Sequence, residues 1–177
     1  MKYLSIDLEA TGLNEHDYII EFGMVPFDTV TKTIEQNLAR NYFISCPSYQ
    51  SLEPRLDPWV KKHNKGLIEK AHSTGLSHQA FANELESYLE TDEVRNYFKN
   101  ERNEKIILFG KSMNAIDLPF LNRDLGWEFM RKHFHHRDLD LSSTANTLID
   151  LGFIPEACSS GSELMKYLNM GEVCHTA

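Results

Sequence analysis

Three short stretches carry the residues best suited to chemistry. The first is Ser5-Ile6-Asp7-Leu8-Glu9-Ala10-Thr11-Gly12-Leu13, which sets two carboxylates, Asp7 and Glu9, two positions apart. On a strand that spacing sends both side chains to one face. Two carboxylates on a buried face are costly unless they are compensated. A hard divalent cation such as Mg²⁺ takes oxygen ligands of this kind and removes the cost. An exposed acidic strand end is the other reading of the same pair. Gly12 permits a tight turn directly beyond the carboxylates and leaves Leu13 as an apolar tip beside them.

The second stretch, Gly110-Lys111-Ser112-Met113-Asn114-Ala115-Ile116-Asp117, delivers a carboxylate to the start of a predicted helix. There Asp117 either serves as an N-terminal charge or faces the carboxylates of the first strand. The third stretch is Cys174-His175-Thr176-Ala177. An imidazole beside a dinuclear metal site can take the proton of an attacking water, because its pKa lies near neutral pH. His133 and His135 fall on one face of a predicted strand. We read them as strand-edge polar residues, with a role at an interface, rather than as a metal cluster.

These residues need elements to hold them. The periodicity predicts strands over residues 2–8, 17–28 and 35–45, an antiparallel meander. Asp57-Pro58 reads as the cap and first residue of a helix stopped by Gly66. Ser77 caps another, with Phe81, Leu85, Tyr88 and Leu89 as its core stripe. Residues 91–104 read as helix and loop. A short strand over 105–109 ends in Gly110, a helix follows over 117–125, and a strand is predicted over 137–141. Ser142 or Ser143 then caps a helix running to Leu151. The last elements are a helix over 162–168, ended by Gly171, and a further helix beginning near Glu172. A meander followed by helices alternating with two strands indicates an α/β fold, a mixed five-stranded sheet flanked by helices.

Composition bounds the rest. A chain of 177 residues fits one domain, and 41% hydrophobic with 25% charged residues is ordinary for a globular protein. No apolar run approaches the ~18–20 residues of a membrane span, and the first residues lead into a strand rather than a cleavage site. Cys46, Cys158 and Cys174 are odd in number and lack a Cys-x-x-Cys pair, which points to reduced thiols in the cytoplasm. The net charge of −8 gives no basic footprint for long nucleic acid. Either nucleic acid is not bound, or a short piece is held mainly through metal ions at one site.

In order and spacing, the three stretches resemble the DEDDh 3′-5′ exonuclease superfamily, which includes polymerase proofreading subunits, ribonuclease T and oligoribonuclease. Asp7 and Glu9 match its first motif, Asp117 with Phe120-Leu121 its second, and His175 the histidine of its third. Within the superfamily the chain looks most like oligoribonuclease. The likeness runs through Ile19-Ile20-Glu21, through Trp59-Val60-Lys61-Lys62-His63, and through Phe134-His135-His136-Arg137-Asp138-Leu139-Asp140-Leu141-Ser142-Ser143. It covers nearly the whole chain, more weakly between residues 91 and 104. Three departures stand out. His136 occupies a position usually held by tyrosine, an extra residue precedes Asp117, and the last acid of the family pattern would fall at position 180, past Ala177. We therefore expect a single exonuclease domain, 1–177, lacking its last C-terminal helix. No other acid fits that place, since Asp150 ends a predicted helix and Asp140 belongs to a predicted strand.

The resemblance implies a ribonuclease H-like fold and two Mg²⁺ or Mn²⁺ ions. Asp7 would bridge both ions, Glu9 would bind one, Asp117 would bind directly or through water, and His175 would be the base. It implies a 3′-5′ exoribonuclease that degrades short single-stranded oligoribonucleotides to 5′-mononucleotides, working as a homodimer. Substrate contacts map to Thr11 and Gly12, to Leu13 as a wedge between bases, and to Trp59 and His63 lining the pocket. Ser112 and Arg137 would cap the 5′ phosphate. Two alternatives remain: a proofreading or ribonuclease T-like exonuclease acting on DNA or longer RNA ends, and a catalytically degenerate nucleotide-binding module.

Overall fold

The computed structural model describes residues 1–99 and 105–171. Its centre is β1 (Lys2–Ala10), whose alternation divides the sheet's two faces. Leu4, Ile6 and Leu8 are buried in the main core, so Ser5, Asp7 and Glu9 point the other way. β2 (Ile19–Asp28) pairs antiparallel with β1, from Lys2 opposite Asp28 to Glu9 opposite Glu21. On the far side of β1, β5 (Leu108–Gly110) pairs in parallel, with Leu4 beside Leu108 and Ser5 beside Phe109. β6 (Leu139–Asp140) continues in parallel from β5.

β3 (Thr33–Ile34) and β4 (Arg40–Phe43) both pair with β2, the first with Phe27–Asp28 and the second with Glu21–Met24. They lie end to end along one edge, so six strands make a sheet five strands wide in the order β3-β2-β1-β5-β6. The single strand expected over 35–45 is thus shortened to β4, Arg40–Phe43, with β3 lying just ahead of that range. A 3₁₀ turn at Gln36–Leu38 takes the place of its first part, closed by the Leu38 amide on Glu35 O and anchored by the Tyr88 hydroxyl, which donates to Leu38 O at 2.6 Å.

Helices α1 (Tyr49–Leu52), α2 (Pro58–His63), α3 (Lys65–Thr74), α4 (His78–Leu89) and α5 (Asp92–Phe98) fill the crossover from β4 to β5. Then come α6 (Asp117–Leu125), α7 (Trp127–His133), α8 (Leu141–Asp150) and α9 (Gly161–Tyr167). The main core packs Leu4, Ile6, Leu8 and Phe22 against Phe81 and Leu85 of α4 and Phe120 and Leu121 of α6. A second cluster joins Ile20 to Val60 of α2 and to Ile68 and Ala71 of α3, which seats that helix pair beside the start of β2. No helix among the described residues is long and apolar enough to cross a membrane.

Several boundaries differ from the sequence reading. Asp57 does cap α2, accepting from the Trp59 amide, but that helix ends at Asn64 and Gly66 lies inside α3. Residues 105–107 precede β5, where Ile106 makes only a single bridge to Phe134. Asp140, not Ser142 or Ser143, caps α8, because its carboxylate reaches the Ser143 amide at 2.8 Å. His133 and His135 do not share a strand, since His133 closes α7. The helix expected near Glu172 lies outside the described residues, as does His175.

Asp140 also accepts the buried Met113 amide at 2.8 Å, so one carboxylate caps α8 and fixes the loop ahead of α6. Asp140→Ala is expected to cost about 2–3 kcal/mol, from the lost cap and an unsatisfied buried N–H. Denaturant unfolding measures this, and a loss below about 0.5 kcal/mol contradicts it.

Candidate active site

The β1–β2 register collects acids on the face away from the main core. Glu9 stands opposite Glu21, and Asp7 stands opposite Gly23, which presents no side chain. Asp7 therefore opens onto a groove of about 380 Å³, lined by Ser5, Gly23, Val25, Arg40 and Asn41 with it. Glu21 is 2% exposed and accepts from the Asn41 side-chain amide at 2.7 Å. Glu9 accepts from Asn64 Nδ2 at 3.1 Å, and the same nitrogen donates to Ala10 O at 3.2 Å. Asn64 is 1% exposed at the α2–α3 junction, and its Oδ1 has no partner.

Asp117 reaches this face from the first turn of α6 and is 4% exposed. The loop before it is fixed at several points. Gly110 is required by crowding, since a Cβ there would lie 2.7 Å from Met113 Cγ and 2.9 Å from Ile6 O. Ser112 takes a left-handed φ of 59°, its carbonyl accepts from Ala115, and the Met113 carbonyl accepts from Leu118 at 2.9 Å. The Leu4 amide points at β5, donating to Ile107 O. By the two-residue period the Leu8 amide points the same way, past the end of β5. That amide acts on both Asp7 and Asp117 and draws both pKa values down.

Opposing effects win. Burial chiefly, then the Asp7 charge and less so that of Asp140, pushes Asp117 up to about 7. Asp7 meets solvent through the groove, yet the surrounding chain keeps bulk water from much of it. Burial is thus also the largest cause of its rise to about 6, followed by Glu9, with Glu21 adding and Lys111 opposing. Carboxylates held this close and this dry disfavour their own ionisation. A set offering only carboxylate oxygens suits hard divalent cations such as Mg²⁺ or Mn²⁺.

The remaining sequence-predicted residues lie around this centre or apart from it. Leu13 is 75% exposed at the tip of the β1–β2 loop. Thr11 is buried, with its hydroxyl donating to Asp17 Oδ1 and accepting from the Tyr18 amide. Gly12 is needed for close approach rather than for its backbone angle, because a Cβ there would lie 2.4 Å from Asp17 Oδ2. Trp59 is 48% exposed and stacks on His63 at 4.5 Å. Ser112 shares a 2.8 Å hydrogen bond with Ser142. Arg137 is exposed, and its amide donates to His135 Nδ1. Neither Ser112 nor Arg137 makes a described hydrogen bond or ion pair with Asp7, Glu9 or Asp117. Sequence reasoning passed over Glu21 and Asn64 as site residues. An acid inside the apolar run Ile19-Ile20-Glu21-Phe22 was a signal for the first. Nothing local marked the second, whose place depends on a helix junction folding over β1.

Two expectations follow from this geometry. Asn64→Ala should weaken Mn²⁺ binding about tenfold or more, as loss of a group orienting a metal ligand does. Calorimetry measures this, with circular dichroism to verify the fold, and unchanged affinity refutes it. The second concerns pH. Carboxyls with raised pKa values stabilise the fold while protonated, so the contributions of Asp7 and Asp117 are full below pH ~4 and are lost as pH rises through about 6 and about 7. Cation-free protein should melt at progressively lower temperature from pH 5 to 8. Asp117→Asn should flatten that slope and stabilise the protein at pH 8 by on the order of 2 kcal/mol. A slope unaltered in the variant counts against this reading.

No protein-family model matches the chain, and no curated protein matches it in sequence. Solved structures do match it in fold. One is the cell-death related nuclease CRN-4, 14% identical with a TM-score of 0.67, over 99% of this chain and 58% of that one. Another is the nuclease domain of 3′hExo, a DEDDh family member bound to rAMP, 15% identical with a TM-score of 0.62, over 99% and 82%. A third is a 3′-exonuclease in 3′-end specific recognition of histone mRNA stem-loop, 15% identical with a TM-score of 0.60, over 99% and 73%. The chain thus spans 58% of the first of these nucleases and more of the other two. It is a mixed α/β fold of the kind those nucleases share.

Proposed function

We propose that this chain is a metal-dependent 3′-5′ exoribonuclease acting on short oligoribonucleotides, as a single exonuclease domain. The observation that carries the reading is the convergence of Asp7, Glu9 and Asp117 at the end of β1, with Asp7 raising the pKa of Asp117 and the Leu8 amide acting on both. These three would hold two Mg²⁺ or Mn²⁺ ions. Such ions, when bound, stabilise the attacking and leaving oxygens of a phosphodiester hydrolysis. Asp7 lines the groove, where it would hold metal beside the scissile phosphate. Asn64 orients Glu9 through its amide, and Asp140 holds the loop that presents Asp117. His175, assigned from the sequence and outside the described residues, takes the proton of the attacking water.

The preference for short RNA is supported by two exposed apolar surfaces near the loop and helix that flank β1. Leu13 offers an apolar wedge between bases, and Trp59, backed by His63, offers a face on which a base stacks. Ser112 and Arg137 belong to the proposed 5′-phosphate cap on the family likeness alone, and so does the homodimer. The structured RNA bound by the third nuclease favours a second reading, in which this chain also trims longer 3′ ends.

Cleavage of a dinucleotide, a 20-mer RNA and a 20-mer DNA in Mn²⁺ separates these readings. The dinucleotide should turn over fastest. Asp7→Asn should lower kcat by roughly 10³-fold, the equivalent of several kcal/mol of lost metal catalysis. A faster 20-mer favours the second reading. Dinucleotide binding without hydrolysis, in protein that binds Mn²⁺, leaves only a nucleotide-binding module.

A further inference from the structure

A second group of metal-ligating side chains lies away from the carboxylate face. Glu86 and Glu90 stand one turn apart at the carboxyl end of α4, Glu90 being its C-cap residue. His133 closes α7 and faces them. Single ligand atoms from the three side chains all lie within 4.8 Å of one another. His133 O accepts from Ile106 ahead of β5, so this cluster sits at the opposite end of β5 from Gly110 and the active-site loop.

The histidine makes this more than a pair of surface acids. Its side chain is 8% exposed, and Nε2 is buried without a hydrogen-bond partner among the described residues. Glu86 Oε1 lies 3.6 Å from it, longer than an ordinary hydrogen bond, a contact that favours the protonated ring without outweighing burial. The ring is held against Phe129 at 4.8 Å. Burial first, then the adjacent Lys132 ammonium, lowers its pKa, so the ring keeps a lone pair at neutral pH. The two carboxylates also sit at the negative end of the α4 dipole, where anions are disfavoured. The site therefore calls for positive charge. Lys132 supplies one, with Nζ 2.7 Å from Glu86 and 2.6 Å from Glu90. That ammonium is half-exposed on a flexible stem, and ion pairs of this kind contribute little. It leaves the imidazole nitrogen unsatisfied.

The geometry points to a transition-metal site of the Zn²⁺ class, formed by Glu86, Glu90 and His133 and clamping α4 to α7. Imidazole nitrogen and carboxylate oxygen are both Zn²⁺ ligands, and three protein ligands leave a fourth position for water. Mg²⁺ and Ca²⁺, which prefer oxygen throughout, fit this donor set less well. Tetrahedral Zn²⁺ needs its ligand atoms roughly 3.3 Å apart, a distance the two exposed glutamates reach by side-chain rotation once Lys132 swings into solvent. The clamp is independent of the nuclease reading. It would stabilise the packing of α7, which follows directly on the helix that carries Asp117.

The test uses the 177-residue chain with Asp7→Asn and Asp117→Asn, which disable the other cation site. Zn²⁺ binding is followed by calorimetry, and Co²⁺ by the visible absorption of a low-coordinate, nitrogen-ligated ion. One site is expected, weakened at least about tenfold by His133→Gln and by the surface change Glu90→Gln. Lys132→Met removes the competing ammonium. It should tighten Zn²⁺ binding about tenfold, and Zn²⁺ should restore whatever melting temperature that change loses. If the cluster is only an ion-pair network, Lys132→Met lowers the melting temperature and Zn²⁺ does not recover it. That result overturns the proposal, as does Zn²⁺ binding indifferent to both Glu90→Gln and His133→Gln.

Discussion

The structure turns on the repulsion among carboxylates gathered at one end of β1. Asp7, Glu9, Glu21 and Asp117 are brought together where water is partly or wholly excluded. Neither burial nor proximity favours their charged forms. The fold answers in part with local dipoles: the Leu8 amide on Asp7 and Asp117, Asn64 on Glu9 and Asn41 on Glu21, while the Lys111 charge also acts on Asp7. These donors hold the oxygens in place but do not cancel their charge, and the residual demand for positive charge shows in the raised pKa values of Asp7 and Asp117.

Holding the acids requires a rigid frame around a weak spot, since β5 and β6 contribute only a few residues each. Asp140 supplies much of the stiffness. Its two oxygens accept from Met113 and Ser143, and its carbonyl accepts from the Thr144 hydroxyl, tying the end of β6 to the start of α8 and to the loop before α6. Asp17 does the same for the β1–β2 loop, accepting from Thr11 and from both the backbone and side chain of Asn14. Arg123 of α6 then donates to the Glu15 and Asp17 carbonyls. The helix bearing Asp117 is thereby fastened to the loop bearing Leu13.

Much of this was legible in the sequence where the signal is local. The alternation in β1, the Asp57-Pro58 start of α2, the Ser77 cap and the apolar stripe of α4 all appear as read. So does Asp117 in a first helical turn. What escaped depends on tertiary contact. The third strand is shortened because Tyr88, fifty residues later, pins the Leu38 carbonyl. Asp140 looked like a strand residue because its cap and its bond to Met113 exist only once two loops meet. His133 looked like a strand residue because the polar run 131–136 gives no sign of where α7 stops. Glu21 drew no separate notice because an acid acquires meaning only from the register that sets it opposite Glu9.

The net charge of −8 then ceases to oppose a nucleic-acid substrate. A protein that tracks a long backbone needs a strip of cations, since each phosphate contact is electrostatic. A protein that takes a short piece needs instead a place for one reacting phosphate and a surface for one or two bases. In the proposed function, divalent ions held by the carboxylate set would reverse the local sign at that phosphate. Apolar contact with exposed Leu13 and stacking on exposed Trp59 add affinity that carries no charge, with base stacking on an aromatic worth ~1–3 kcal/mol per base. In the proposed function, acidity and substrate preference therefore have one cause. Without a basic track, affinity does not grow with RNA length, and the shortest substrates lose least by it.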